Sequence, residues 1–191
     1  CISSAASDVY KRQLLHLIDR KRGTVVVDGV EYELLDTTFP TVDWDDPYRL
    51  TEDEAAVIEQ LCAAFTGSER LQRHMRFFLD RGSLYKIENG NLMLHACVPL
   101  ADDGSLLEVT LFGKTYRGRA LYDMVDASVR AAFSATDEAE RKRGLDMLWY
   151  LWLGPGSPLF AKSKMATFEL YLIADKAARK EVKNPFYSLL D

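Results

Sequence analysis

At 191 residues, 48% of them hydrophobic and 28% charged, the chain has the make-up of one soluble globular protein with a real core. Its formal net charge of −5 argues against nucleic acid as a partner, since such a footprint would be basic, and no apolar run approaches the roughly 18 residues of a membrane span. The three cysteines, Cys1, Cys62 and Cys97, are an odd count that fits reduced thiols in a cytoplasmic protein better than a disulfide framework.

Residues 1–13 have no start Met, no signal-peptide core and no periodicity. They read as non-native read-through to be set aside, with the native sequence expected to begin near Leu14. Residues 14–18 are a short apolar stretch read as a helix end, and His16 within it is given no role. Residues 24–27 and 30–34 flank Asp28-Gly29, a strong hairpin signal because both central residues of a tight I′ turn need φ > 0. Residues 36–48 form a loop with two prolines and four aspartates (Asp36, Asp43, Asp45, Asp46). They lack the glycine and terminal glutamate of an EF-hand, so the loop reads as a solvated turn.

Thr51 and Glu54 make a capping box. The helix it opens carries Val57, Ile58, Leu61, Cys62 and Phe65 at helical spacing. Gly67 breaks it, and Ser68 caps a second helix with Leu71, Met75 and Phe78 on one face and Gly82 in the C′ role. His74 belongs to the charged outer face. The pair reads as an αα-hairpin. Asn89-Gly90 then signals a hairpin between residues 84–87 and 92–94, the second strand ending on His95, with Pro99 stopping further pairing. A histidine where a strand becomes a tight loop is either a satisfied strand-end residue or one that projects its imidazole into a cleft, as a metal ligand does.

A third hairpin is expected around residues 112–114. A helix over residues 119–133 carries Leu121, Met124, Val125 and Val129 on one stripe. The helix over residues 138–153 is the most apolar, with Leu145, Leu148, Trp149 and Trp152 recurring at three and four. Gly144 interrupts it, at about 1 kcal/mol relative to Ala unless packing requires it. In the Gly/Pro/Ser loop that follows, Lys162 and Lys164 read either as point charges for phosphate oxygens or as solvated loop lysines.

Several of these segments share a pattern with one known family. Residues 91–100, with His95 and Cys97, resemble the N-L-L-x-H-G-C-I-P-L segment of class III fructose-1,6-bisphosphatase, a manganese-dependent branch of the calcineurin-like metallophosphoesterases. Ala96 stands where that pattern has Gly, a position that would favour Gly if it needs φ > 0. Residues 146–162 are similar to the family's D-x-x-W-Y-L-W-x-G-x-x-S-P-L-F-G-K, and residues 39–51 to its F-P-T-x-D…P-Y-x-L-T. Residues 165–173 are similar to M-T-T-F-E-R-Y-F-I, with Ala166 for Thr and Leu170 for Arg. Asp175-Lys176 and residues 183–187 are similar to D-K…K-N-P-Y-Y.

The resemblance implies an α/β fold: residues 14–191 would be the middle portion of a metallophosphoesterase-type two-sheet sandwich flanked by helices. By itself the chain reads as α+β, hairpins plus about four helices. The implied activity is metal-dependent hydrolysis of fructose 1,6-bisphosphate to fructose 6-phosphate and phosphate in gluconeogenesis. His95 would be one ligand of a Mn2+ pair, and Lys162 and Lys164 candidate substrate contacts. No catalytic residue is assigned. The superfamily's D-x-H, G-D-x-x-D-R-G and G-N-H motifs do not occur in these 191 residues, and one imidazole cannot hold two metals, so the chain alone is expected to be inactive. A homo-oligomer is left open. The rival reading is a non-catalytic α+β binding or assembly module derived from that family. A third keeps the phosphoesterase chemistry with another substrate.

Overall fold

The computed structural model describes residues 14–189. The expectation for residues 1–13 lies outside them. The described residues divide into two compact units, one of residues 14–75 and 166–180, the other of residues 76–165 and 181–189. The α+β mix expected of the chain is present: three small antiparallel sheets and, among the described residues, five α-helices.

In the first unit a 3-10 turn at Leu15–Leu17 leads into β1 (Ile18–Asp19), β2 (Thr24–Val27) and β3 (Val30–Glu33), ordered β1-β2-β3. Asp28 and Gly29, at φ 52° and 81°, make the tight turn between β2 and β3. Val25 and Val27 point inward and pack with Ile173 and Ala178. Ile173 directly follows the short helix Thr167–Leu172, the last of the five. The Leu35 N–H donates to the Leu172 carbonyl at 2.8 Å, closing this small core across the chain. The aspartates of the 36–48 loop serve its turns: Asp36 accepts from the Thr38 N–H and Asp43 from the Asp45 N–H.

Helix α1 (Glu52–Thr66) starts at the expected capping box, with the Glu54 N–H donating to Thr51 Oγ1 at 3.3 Å and the Thr51 N–H donating to Glu54 Oε2 at 2.8 Å. The Thr51 N–H, then the hydroxyls of Thr41 and Thr51, hold the Glu54 carboxyl below the usual carboxylate range. α1 and α2 (Glu69–Arg81) follow one another but do not pack side by side, so the expected αα-hairpin is not formed. Val57, Ile58, Leu61 and Phe65 remain 47–63% exposed. An amphipathic pattern states that a face needs covering, not what covers it.

The second unit holds β4 (Tyr85–Glu88) with β5 (Asn91–Leu94), β6 (Val109–Leu111) with β7 (Lys114–Tyr116), α3 (Arg119–Ser134) and α4 (Glu138–Leu153). The third hairpin turns on Phe112 and Gly113 alone, both at positive φ, so Lys114 joins the strand. Its core comprises Leu111, Leu121, Val125, Met147, Tyr150 and Leu151. The α3 stripe is nearly as expected, whereas α4 is turned. It buries Gly144, Met147, Tyr150 and Leu151, and leaves Leu145 39% and Trp152 73% exposed. The reason is Gly144: a Cβ there would lie 2.0 Å from Ala132 Cβ, so the bare backbone of α4 sets the line of closest approach to α3.

Gly82 ends α2 without the expected left-handed turn. The Arg130 guanidinium on α3 donates instead to the carbonyls of Leu79 and Gly82 and pairs with Asp126, taking up C-terminal acceptors that the helix leaves open.

Candidate functional site

The β4–β5 hairpin is built as expected, with Asn89 and Gly90 at φ 51° and 78° and Tyr85 paired with Leu94. The chain then bends at His95, whose side chain is exposed on the rim of an open pocket of about 480 Å³. Ser83, Tyr85, Lys86, Met93 and Leu159 are among the other residues lining it. The next residue, Ala96, sits at φ 67°. The position does require the left-handed region, and there an alanine is strained by about 1–2 kcal/mol where glycine would be at ease.

Behind the bend the backbone is pinned at successive points. The Cys97 N–H donates to the Pro158 carbonyl at 3.4 Å, and the Cys97 carbonyl accepts from the Tyr122 hydroxyl at 2.6 Å. Tyr122 stacks edge-on against Tyr85, whose hydroxyl donates to Asp123 Oδ1 at 2.9 Å. Burial pushes the Cys97 thiol up to about 11 and, with the neighbouring Cys97, the Tyr122 phenol up to about 12. Both are neutral structural groups near neutral pH.

The loop after α4 folds around Ser157, which is fully buried. Its hydroxyl donates to the Leu151 carbonyl at 2.6 Å and accepts from the N–H groups of Leu159 and Phe160. Ala161 follows at φ 55°; it stands where the family pattern has Gly, so two such positions carry alanine in left-handed backbone. Residues 181–184 lie along this loop. The Ser163 N–H donates to the Val182 carbonyl, the Val182 N–H donates to Ser163 Oγ, and the Asn184 N–H donates to the Ala161 carbonyl at 2.9 Å.

Three segments quoted for the family resemblance, around His95, Ser157 and Asn184, thus meet in one place, although Leu100 and Asn184 are 84 residues apart. His95 and Leu159 line the same pocket. Lys162 lies on the Ser157 loop, but its Nζ is 2.6 Å from Glu181 Oε2, so it would have to share that carboxylate before meeting a phosphate. Lys164 is half-buried two residues further on. Leu170, which replaces an Arg of the pattern, is exposed. Sequence reading missed Tyr122, Ser157 and Asn184 as organisers. Ser157 and Asn184 each carried a local signal, the Ser-Pro and Asn-Pro pairs that mark turns, and Tyr122 carried none.

The donor set is the test for the metal pair that the resemblance implies. Among the described residues, no three His, Cys, Asp or Glu side chains come together to hold a metal ion. One exposed imidazole does not fit a pair of divalent cations, which take several nitrogen and oxygen ligands each.

The family profile described as Firmicute fructose-1,6-bisphosphatase matches residues 4–191, which includes part of the stretch set aside in the sequence reading. Among curated relatives, the class 3 fructose-1,6-bisphosphatase of Bacteroides fragilis strain YCH46 is 49% identical over 179 residues, covering 93% of this chain and 27% of its own length. That of Clostridioides difficile strain 630 is 46% identical over 179 residues, with the same coverage. That of Listeria innocua serovar 6a is 45% identical over 183 residues, covering 95% of this chain and 28% of its own. The chain therefore spans little more than a quarter of the length of these relatives. No solved structure matches it.

Proposed function

The chain belongs to the Firmicute fructose-1,6-bisphosphatase family, and from that premise we propose that it forms part of a phosphoric monoester hydrolase converting fructose 1,6-bisphosphate to fructose 6-phosphate and phosphate. The observation that carries this reading is identity of 45–49% over more than nine-tenths of the chain to relatives bearing that name. In the cell the activity would serve gluconeogenesis in the cytoplasm.

In this reading His95 supplies one ligand to a Mn2+ pair. The other ligands would come from lengths of family sequence that this chain does not align with, because the described residues gather no further cluster. The metals would polarise the phosphate and generate the attacking hydroxide. The residues of this chain supply the frame. Tyr122 and Pro158 hold the backbone behind His95 at Cys97, and Lys162, once released from Glu181, offers a cation to a phosphate oxygen together with Lys164. The 191-residue chain by itself is inactive on this view.

A second reading, a non-catalytic binding or assembly module, draws on Ala96, Ala161 and Leu170. Two of these strain the loops of the site, and the third removes an arginine from the family pattern. One experiment separates the two: phosphate release from fructose 1,6-bisphosphate by the family-length protein that carries this chain, titrated with Mn2+, wild type against His95→Ala. The enzyme reading expects metal-dependent release in the wild type and a loss of at least a hundredfold in the variant. Unchanged release in the variant removes His95 from the metal site, and no release from the wild type favours the module.

A further inference from the structure

The Asn184 side chain reaches a residue 84 positions back along the chain. Its Oδ1 accepts from the Leu100 N–H at 3.1 Å, and its Nδ2 donates to the Leu100 carbonyl at 3.1 Å. The carboxamide therefore pairs with both backbone groups of one residue, as a neighbouring strand would. Oδ1 also accepts from the Phe186 N–H at 3.0 Å, and the Asn184 N–H donates to Ala161. Leu100 needs a donor and an acceptor on the same edge, and only an amide of this length offers both.

We infer that Asn184 is a positioning residue for His95. Pro99 and Cys97 are buried, Cys97 is held at its N–H by Pro158 and at its carbonyl by Tyr122, and Leu100 is held at both groups by Asn184. The segment behind the histidine is thus clamped at both ends, and His95 is two residues from the nearer clamp. Ala96 makes that clamping necessary: its left-handed backbone is strained, and a strained turn persists only where its surroundings over-determine it. Without Asn184 the strained turn is held only through Cys97, by a long 3.4 Å bond to Pro158 and by Tyr122, so Ala96 can shift toward the extended backbone that alanine prefers and take the imidazole with it. The Asn184 backbone N–H donates to the Ala161 carbonyl, so the same residue also ties the loop of Lys162 to the loop of His95.

This inference rests on the reading of His95 given above, and its test separates the two. Asn184→Ala and Asn184→Asp are made in the family-length protein, with His95→Ala in parallel, and kcat and KM are measured for fructose 1,6-bisphosphate. Amide exchange at Leu100 is followed in the present chain. Asn184→Asp keeps the acceptor for the Leu100 and Phe186 N–H groups but sets a carboxylate against the Leu100 carbonyl, so it is expected to lie between wild type and alanine.

The expected result for Asn184→Ala is a kcat lower by about ten- to a hundredfold with KM within twofold, and Leu100 N–H exchange faster by about tenfold. A merely structural role would lower the melting temperature and leave the kcat of the folded protein unchanged. Both variants folded with kcat within twofold of wild type, or a loss seen in KM alone, overturns the inference while the reading of His95 stands. If His95→Ala is also without effect, the reading itself has failed, and unaltered Leu100 exchange then refutes the clamp independently. Should the alanine variant not accumulate, the aspartate variant carries the same decision.

Discussion

Replacing Gly144 by alanine tests the packing of α4 against α3 directly. On helix propensity alone the change should stabilise by about 1 kcal/mol, because alanine is the best helix former and glycine among the worst. The structure reverses that sign. A Cβ at Gly144 would stand 2.0 Å from Ala132 Cβ, 2.9 Å from Ala132 Cα and 3.0 Å from the Ser128 carbonyl oxygen. Two of those three neighbours are backbone and cannot rotate away, so the helices must part. Parting them loosens Leu121, Val125 and Met147, which are fully buried between them. With two neighbours fixed in the backbone, overpacking falls in the upper part of its usual range, about 2–3 kcal/mol, and the propensity gain of about 1 offsets part of it. The expected net loss is about 1–2 kcal/mol, equivalent to a melting temperature lower by about 2–8 °C in a chain of this size. Urea unfolding should show a lower midpoint at unchanged slope. Adding Ala132→Gly removes the shortest overlap and should recover part of the loss. A Gly144→Ala chain at or above wild-type stability would show that α4 does not approach α3 along this line.

Ala96→Gly should stabilise, by about 0.5–1 kcal/mol: release from the left-handed region gains about 1–2, and the looser unfolded chain returns about 0.4–1. Ala161→Gly should gain less, since its buried methyl, worth about 0.8 kcal/mol, is lost, and urea midpoints of the two variants check the order. Alkali should destabilise the second unit. Cys97 is raised from 9.0 to about 11 and Tyr122 from 10.0 to about 12, so the protonated forms are favoured by folding. Their contribution is complete below pH 9 and is lost as pH climbs through 11 and 12. A urea midpoint that stays flat from pH 8 to pH 11 would contradict the burial of both groups.

Much of the local structure could be read from neighbouring residues. The Asn-Gly and Asp-Gly pairs place two hairpins, Thr51 and Glu54 place the start of α1, and the apolar periodicity places α3 and α4 within a residue of their bounds. Each of those signals acts over a few residues, where φ preference, a side chain capping its own helix or a repeat of 3.6 decides the outcome. Family likeness likewise lay in the linear pattern, including Ala96 in place of a glycine.

Only the folded chain decided which face of α4 turns inward. Residues 147–153 of α4 are all apolar or aromatic, so more than one stripe fits the pattern, and the close approach at Gly144 chooses another than the one expected. Only the fold could show that Lys162 already faces Glu181, or that the stripe of α1 finds no cover among the described residues. The meeting of Asn184 with Leu100 is of the same kind. Hydrogen bonds between groups 84 residues apart leave no periodic trace in sequence, because the chain between them, not its local preferences, brings them together.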